Sequence, residues 1–336
     1  MKDHKIKDGD IIVVFDMEWN QPIGGVEYDF DVSSLCGEII EIGAVRYVYK
    51  DGKIRAAGVF SCDIRPKMYR KLHYHVKKVT HKSNSDLLKG IPFEEAYEKF
   101  RKFCGPECII AGWGNSDPDM LRTNLKFFGM DDKLGMDFLD IQQVFAVFAL
   151  QKGEQKSVEF AVDHYNIAKV DDFHGATADA KYTGEILRQI FRRNDPSEVI
   201  RAMEYTLIDP DIKSEFSSVG SEAGTVAEAF SLLDNFASVC PVCGRAFETR
   251  TGLFGIRKSR YGMFTCSEHG DFYCRIRVKK NRTGKFYAAG LLRIATTTDL
   301  FLVQSKLEEY TKYGEAGRPA PSVSEPAENS DCDGAS

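Results

Sequence analysis

The chain of 336 residues is longer than one compact core usually spans, so two domains or one domain with an appendage are expected. Its 43% hydrophobic and 28% charged residues exclude global disorder, and the longest apolar runs, 11–15 and 144–150, fall far below the roughly 20 residues of a membrane helix. The net charge of −5 hides an uneven distribution: between Cys240 and Arg293 twelve basic residues stand against three acidic ones, a local balance of +9.

In chain order, residues 1–10 are too charged for a signal peptide, and with no membrane segment a cytoplasmic protein is expected. Residues 11–15 form a short apolar strand, and 39–49, rich in Ile, Val and Tyr, form a second. Asp51-Gly52 is a hairpin signal leading to a third strand over 54–64, so the chain opens as an antiparallel meander. Apolar residues at helical spacing predict a helix over 92–103, and 108–113 reads as another strand. Helices over 117–128, 140–150, 157–165 and 176–191 complete an α/β unit with a mixed sheet, predicted to span 8–194. Residues 195–235 read as a polar, helix-leaning connector with a flexible break at 217–224. A separate small unit is expected over 236–312, and 313–336, rich in Pro, Ala, Ser, Glu and Asp, reads as a disordered tail.

Three acidic motifs stand out. Asp16 and Glu18 follow the first strand, where the period of two puts both side chains on one face. Asp117 follows the strand-to-turn segment Trp113-Gly114-Asn115-Ser116; it could equally cap the next helix, and Asp119 competes with it. In His174-Gly175-Ala176-Thr177-Ala178-Asp179-Ala180 a loop histidine precedes a helix with an aspartate one turn in, and the small residues let that helix approach the sheet closely. His164 and Asp163 are rivals placed inside a predicted helix.

The ordered set Asp-x-Glu, Asp and His-x-Ala-x-x-Asp-Ala resembles the DEDDh branch of the DnaQ-like (RNase T-like) 3′–5′ exonuclease superfamily, over roughly residues 10–193. Residues 38–45 look like that family's second strand, and 79–103 like its substrate-side loop and following helix. The Trp113-Gly114 pair ahead of Asp117 is most similar to the KapD and Eri-type exonucleases, and Leu121 four residues on favours Asp117 over Asp119. The chain departs from the pattern in the longer polar, glycine-containing stretch 20–37, at the substrate entrance.

The resemblance implies an RNase H-like fold and two Mg²⁺ or Mn²⁺ ions. Asp16, Glu18 and Asp179 would hold one, Asp16 would bridge to the second, and Asp117 would complete the site partly through water. Carboxylates are hard oxygen ligands suited to these cations. His174 would be the general base, since an imidazole titrates at about 6.5, and Glu18 would meet the terminal 3′-OH.

The nine cysteines are odd in number, which favours reduced thiols or metal ligands over disulfides. Cys240-Pro241-Val242-Cys243-Gly244 and Cys266-Ser267-Glu268-His269-Gly270 each look like a zinc knuckle, and together they resemble a zinc ribbon holding one structural Zn²⁺. Cys240, Cys243, Cys266 and His269 are the expected ligands, with Cys274 as the alternative fourth; Cys36, Cys62, Cys104, Cys108 and Cys332 show no ligand spacing. Around them Arg257, Lys258, Arg260, Arg275, Arg277, Lys279, Lys280 and Arg282 are interleaved with aromatic residues, the pattern of nucleic-acid binding.

A metal-dependent 3′–5′ exonuclease acting on single-stranded 3′ ends, RNA slightly favoured over DNA, is therefore expected, with a basic zinc ribbon at its carboxyl end. The competing class is a catalytically idle exonuclease fold that binds nucleic acid or serves as a scaffold, the ribbon docking proteins. No heptad pattern forces a dimer.

Overall fold

The computed structural model describes residues 5–150, 155–212 and 215–316. The first sheet opens with β1 (Ile11–Asn20), β2 (Glu38–Lys50) and β3 (Lys53–Asp63), antiparallel neighbours as the meander predicted. Asp51 and Gly52 join β2 to β3 with both φ angles positive, 52° and 69°, the two-residue turn whose twist matches paired strands. Between β1 and β2, Tyr28 packs edge-on against Tyr69 at 5.2 Å and Phe30 packs tilted on it at 5.8 Å, so this segment of the glycine-containing stretch lies beside the loop that follows β3.

The chain continues through α1 (Tyr74–Thr80), α2 (Asn84–Leu87) and α3 (Phe93–Cys104) to β4 (Ile109–Gly112), then α4 (Ser116–Phe127), β5 (Phe138–Asp140), α5 (Ile141–Ala149), α6 (Val158–His164) and α7 (Ala176–Arg193). Helix α8 (Pro196–Thr206) and β6 (Leu207–Ile208) finish a six-stranded sheet of order β3-β2-β1-β4-β5-β6. The β1–β4 and β4–β5 pairs are parallel and the β1–β2, β2–β3 and β5–β6 pairs antiparallel, the mixed sheet expected. Both faces are covered, so β1 is apolar without alternation. Ile12 and Val14 pack with Phe145, Ile186 and Met203 under α5, α7 and α8, while Val13 and Phe15 pack with Phe100 and Leu125 under α3 and α4.

Residues 195–235, read above as a polar connector, instead belong to both sheets. Val199 and Met203 of α8 are buried in the first core, and β7 (Glu215–Val219) is the edge strand of a second sheet. The stretch 217–224 is thus in part strand rather than a flexible break: alternate residues of β7 are half-buried, with Phe216 packed on the second core. Helix α9 (Val226–Ser231) follows, then β8 (Glu248–Thr249), β9 (Phe254–Ile256), β10 (Ser259–Cys266), β11 (Gly270–Lys280), β12 (Phe286–Ile294) and α10 (Thr297–Tyr313). The order is β7-β12-β11-β10-β8 with β9 also on β10, all antiparallel, so the unit is larger than the small ribbon predicted. Phe230 and Leu233 cover one face over Phe264 and Phe272; Val303 of α10 covers the other over Met263 and Tyr273. Of the tail read as 313–336, Tyr313 ends α10 and Gly314–Ala316 form a 3₁₀ turn; 317–336 lie outside the described residues, as does Cys332. Among the described residues no helix is long and apolar enough to cross a membrane.

Gly43 sets the distance between α7 and the sheet. It pairs with Asp16 across β1 and β2, and a Cβ there would lie 2.1 Å from Thr177 N and 2.2 Å from Ala176 C, backbone atoms that cannot swing aside. Gly43→Ala should therefore push the first turn of α7 outward, costing about 1–3 kcal/mol of stability and most of any activity that needs Asp179. Thermal unfolding and a rate assay check this; an Ala variant as stable and active as the parent would refute the role given to Gly43.

Candidate active site

Asp16 and Glu18 project from β1 on the face that Ile12 and Val14 share with α7, and Asp179 lies one turn into α7. Because Ala176 and Ala180 are fully buried and Gly43 has no side chain, the helix lies close enough that one carboxylate oxygen from each of Asp16, Glu18 and Asp179 falls within 4.8 Å of the others. Asp117 does not cap α4; Asn115 holds that position, and Asp117 sits in the first turn at 4% exposure. The Met17 backbone N–H, between the two β1 acids, donates to its carboxylate. Asp140, which caps α5, also accepts the Gly114 N–H at 3.0 Å and so fixes the turn that leads into Asp117.

Burial and mutual repulsion shift these acids together. Burial, then the charges of Asp117, Asp179, Glu18 and Glu41, push Asp16 well above the usual carboxylate range. The same causes lift Glu18 to about 8, and burial lifts Asp117 to about 7 against the hydrogen bonds that favour its ionised form. Asp179 is also raised, chiefly by burial, and its Oδ1 is buried without a hydrogen-bond partner. Four crowded carboxylates with an orphaned oxygen are a donor set that a divalent cation fits, and the hard oxygen chemistry suits Mg²⁺ or Mn²⁺.

His174 lies on the exposed loop before α7 with φ 68°, and its backbone N–H donates to Asp179 Oδ2 at 3.1 Å. The rivals lie elsewhere: Asp119 is exposed on α4, Asp163 pairs with Lys169 at 2.8 Å, and the His164 ring packs on Phe145 at 5.5 Å. Two residues absent from the sequence reading complete the surroundings. Glu41 stands opposite Glu18 in the β1–β2 register, and Lys82 Nζ lies 3.0 Å from Glu41 Oε2 and 2.6 Å from Asp63 Oδ1. The Lys82 charge opposes the rise at Glu18. Glu41 shares a strand face with Gly43, a period-two signal that becomes informative only once the β1–β2 register is known.

Residues 26–187 match the family model RNase_T, described as "Exonuclease". The amino-terminal unit carries an exonuclease domain of the RNase_T type. The match begins after Asp16 and Glu18, which β1 brings to the exonuclease site from outside it. Among solved structures, cell-death related nuclease 4 (CRN-4) is 14% identical over 71% of this chain and 88% of its own, with a TM-score of 0.49. The nuclease domain of 3′hExo, bound to rAMP, is 14% identical over 56% of this chain and 96% of its own, with a TM-score of 0.48. A 3′-exonuclease described as recognising a histone mRNA stem-loop is 14% identical at a TM-score of 0.47, and the match spans 56% of this chain and 65% of that one. No curated protein matches the sequence.

Beyond the exonuclease domain, the cysteine motifs converge. Cys240 Sγ and Cys266 Sγ lie 3.7 and 3.6 Å from His269 Nδ1, and Cys243 Sγ lies 3.7 Å from Cys266 Sγ. A tetrahedral ion with arms of about 2.3 Å to sulfur sets its ligand atoms about 3.7 Å apart, a spacing that Zn²⁺ would fit. Burial raises the Cys266 thiol, but hydrogen bonds from Glu268, His269 and Cys243 bring it down to about 6. Cys274 is not in this group; it is fully buried in the second core, where burial lifts its thiol to about 12.

The basic residues do not form one patch. Arg260 pairs with Asp234 at 3.0 Å over the Phe230 ring, and Arg257 hydrogen-bonds the Ala316 carbonyl. Lys258 and Lys280 each lie 5.7 Å from the Phe286 ring, and Arg282 is in the exposed turn between β11 and β12. Arg275, Arg277 and Lys279 share one face, at alternate positions of β11, while Lys280 and Arg260 lie on the other.

Proposed function

We propose that this chain is a divalent-metal-dependent 3′–5′ exonuclease that shortens single-stranded 3′ ends, RNA slightly favoured over DNA. The observation that carries the reading is the convergence of Asp16, Glu18 and Asp179 around a buried, partnerless oxygen, with Asp117 tied to the same strand. Asp16, Glu18 and Asp179 would hold one ion, and Asp16 with Asp117 a second. Two bound Mg²⁺ or Mn²⁺ ions supply neutralisation of the negative charge that develops on the attacking and leaving oxygens. His174, held at the mouth by its N–H bond to Asp179, takes the proton of the attacking water, an effect of about 10²–10⁴-fold. Glu18 accepts a hydrogen bond from the terminal 3′-OH and restricts the site to chain ends. Trp113-Gly114 ahead of Asp117, as in Eri-type enzymes, supports the tilt to RNA.

In this reading the first sheet with its helices forms the catalytic domain, and the second sheet, taking in part of 195–235, a further domain stapled by one structural Zn²⁺ on Cys240, Cys243, Cys266 and His269. Arg275, Arg277 and Lys279 give that domain a cationic face for phosphates.

The test is degradation of 5′-labelled single-stranded RNA and DNA of equal sequence with Mg²⁺, Mn²⁺ or no divalent ion, for the wild type and His174→Ala. A ladder shortening from the 3′ end in the wild type, slowed at least a hundredfold in the variant, is expected, RNA being the faster. No ladder on either polymer from folded protein would leave the idle binding fold as the better description.

A further inference from the structure

A strand whose 3′ end sits among the acidic residues has to leave over some surface. Residues 65–82 hold seven lysines and arginines, three histidines and no acidic residue, a strongly basic stretch. This segment is built onto the catalytic strand rather than left loose. Asn20, two residues beyond Glu18 and fully buried, donates through Nδ2 to the carbonyls of Tyr69 and Lys71, both at 2.8 Å, and accepts the His73 N–H at 2.9 Å. Buried Glu38 accepts the backbone N–H groups of Lys67 at 2.6 Å, Met68 at 3.0 Å and Tyr69 at 2.6 Å.

What this anchored segment offers to solvent is a cluster of three rings. Tyr74 is 69% exposed, and its ring lies 4.6 Å from that of His73 and 4.2 Å from that of His75. Lys71, Lys77 and Lys78 are exposed around it and form no ion pair among the described residues, whereas Lys82 is neutralised by Glu41 and Asp63. An exposed tyrosine alone is ordinary. One clustered with two imidazoles whose own rings lie 5.8 Å apart, on a cationic segment hydrogen-bonded to the strand that carries Asp16 and Glu18, has the makings of a stacking platform with phosphate contacts, the way single strands are bound without sequence readout.

We infer that residues 71–78 form the path by which a single-stranded polynucleotide leaves the acidic site, its bases stacking on His73, Tyr74 and His75 and its phosphates meeting Lys71, Lys77 and Lys78. The inference rests on the exonuclease reading for the direction of the strand, but binding can be measured without cleavage. The experiment uses the full chain carrying Asp16→Ala, without added Mg²⁺, and follows the anisotropy of a labelled single-stranded 12-mer across a salt series. In that background Tyr74→Ala should weaken binding about 5- to 100-fold with little change in salt slope. The triple change Lys71→Ala, Lys77→Ala, Lys78→Ala should lower the slope of log K against log salt by about 2. A third variant, Arg275→Ala with Arg277→Ala and Lys279→Ala, reports on the second sheet. The path is overturned if the first two variants bind within twofold of the parent at every salt, if only the second-sheet variant weakens, or if the parent does not bind. A wild type that binds through Tyr74 yet yields no ladder with Mg²⁺ would sink the exonuclease reading while leaving the path standing.

Discussion

Asp16→Asn should abolish hydrolysis, by about a thousandfold or more, while making the metal-free protein more stable. Both effects come from the same crowding. Asp16 is the acid on which the charges of Asp117, Asp179, Glu18 and Glu41 all bear, so removing its charge takes away a cation ligand and relieves repulsion together. The pH dependence of the metal-free chain carries the same signature. The folded protein holds Glu18 at about 8 against an ordinary 4.5, and Asp117 at about 7 against 3.8. A carboxyl raised on folding binds its proton more tightly in the native state, so its stabilising effect is full below pH ~4 and is lost as pH rises through 7 to 8. Metal-free stability should therefore fall across that interval by on the order of a few kcal/mol, and millimolar Mg²⁺ should restore it. Melting curves between pH 4 and 9, with and without Mg²⁺, for the parent and for Glu18→Gln, are the check. A parent whose pH profile matches that of Glu18→Gln would show that the cluster is not charged in this way.

Cys243→Ala should lose the zinc and collapse the second sheet while the first remains folded. Cys240 and Cys266 are part of the same buried cluster as Phe264, Phe272 and Leu292, so the ligand group is continuous with that core. Binding at structural zinc sites is worth on the order of 10 kcal/mol, enough to decide whether a domain of this size folds. Zinc content by mass spectrometry and two-stage melting would report the loss, with His269→Ala behaving alike. Cys274→Ser supplies the contrast: it should keep one zinc per chain and lose stability only through a hydroxyl placed in an apolar core. Zinc retained by His269→Ala and lost by Cys274→Ser would reverse the ligand assignment.

How far these features were legible in the sequence depends on whether they are local. The β1 acids follow from a buried run and a period of two, and the approach of Asp179 from the small residues around it. Glu41 escaped because its role depends on the β1–β2 register, and Lys82 and Asn20 because theirs depend on contacts between a loop and strands distant in sequence. Strand β6 has two residues and β7 a single large apolar side chain, Phe216, packed inward, so neither rises above a polar background. The choice between His269 and Cys274 was open in the spacing; in the fold Cys274 lies mid-strand in β11, facing the core, while His269 stands in the turn beside Cys266, which favours His269.

The division of residues 195–235 between two sheets also limits how far apart those sheets can travel. Only residues 209–214 separate the end of β6 from the start of β7, a span of at most about 25 Å even when drawn straight. A ligand held by the second sheet is therefore kept at an effective concentration in the millimolar range at the first. Were the second sheet to hold the polymer as proposed, a strand slipping from the acidic site would be recaptured before it diffused away, and the first unit would remove several residues in a single encounter.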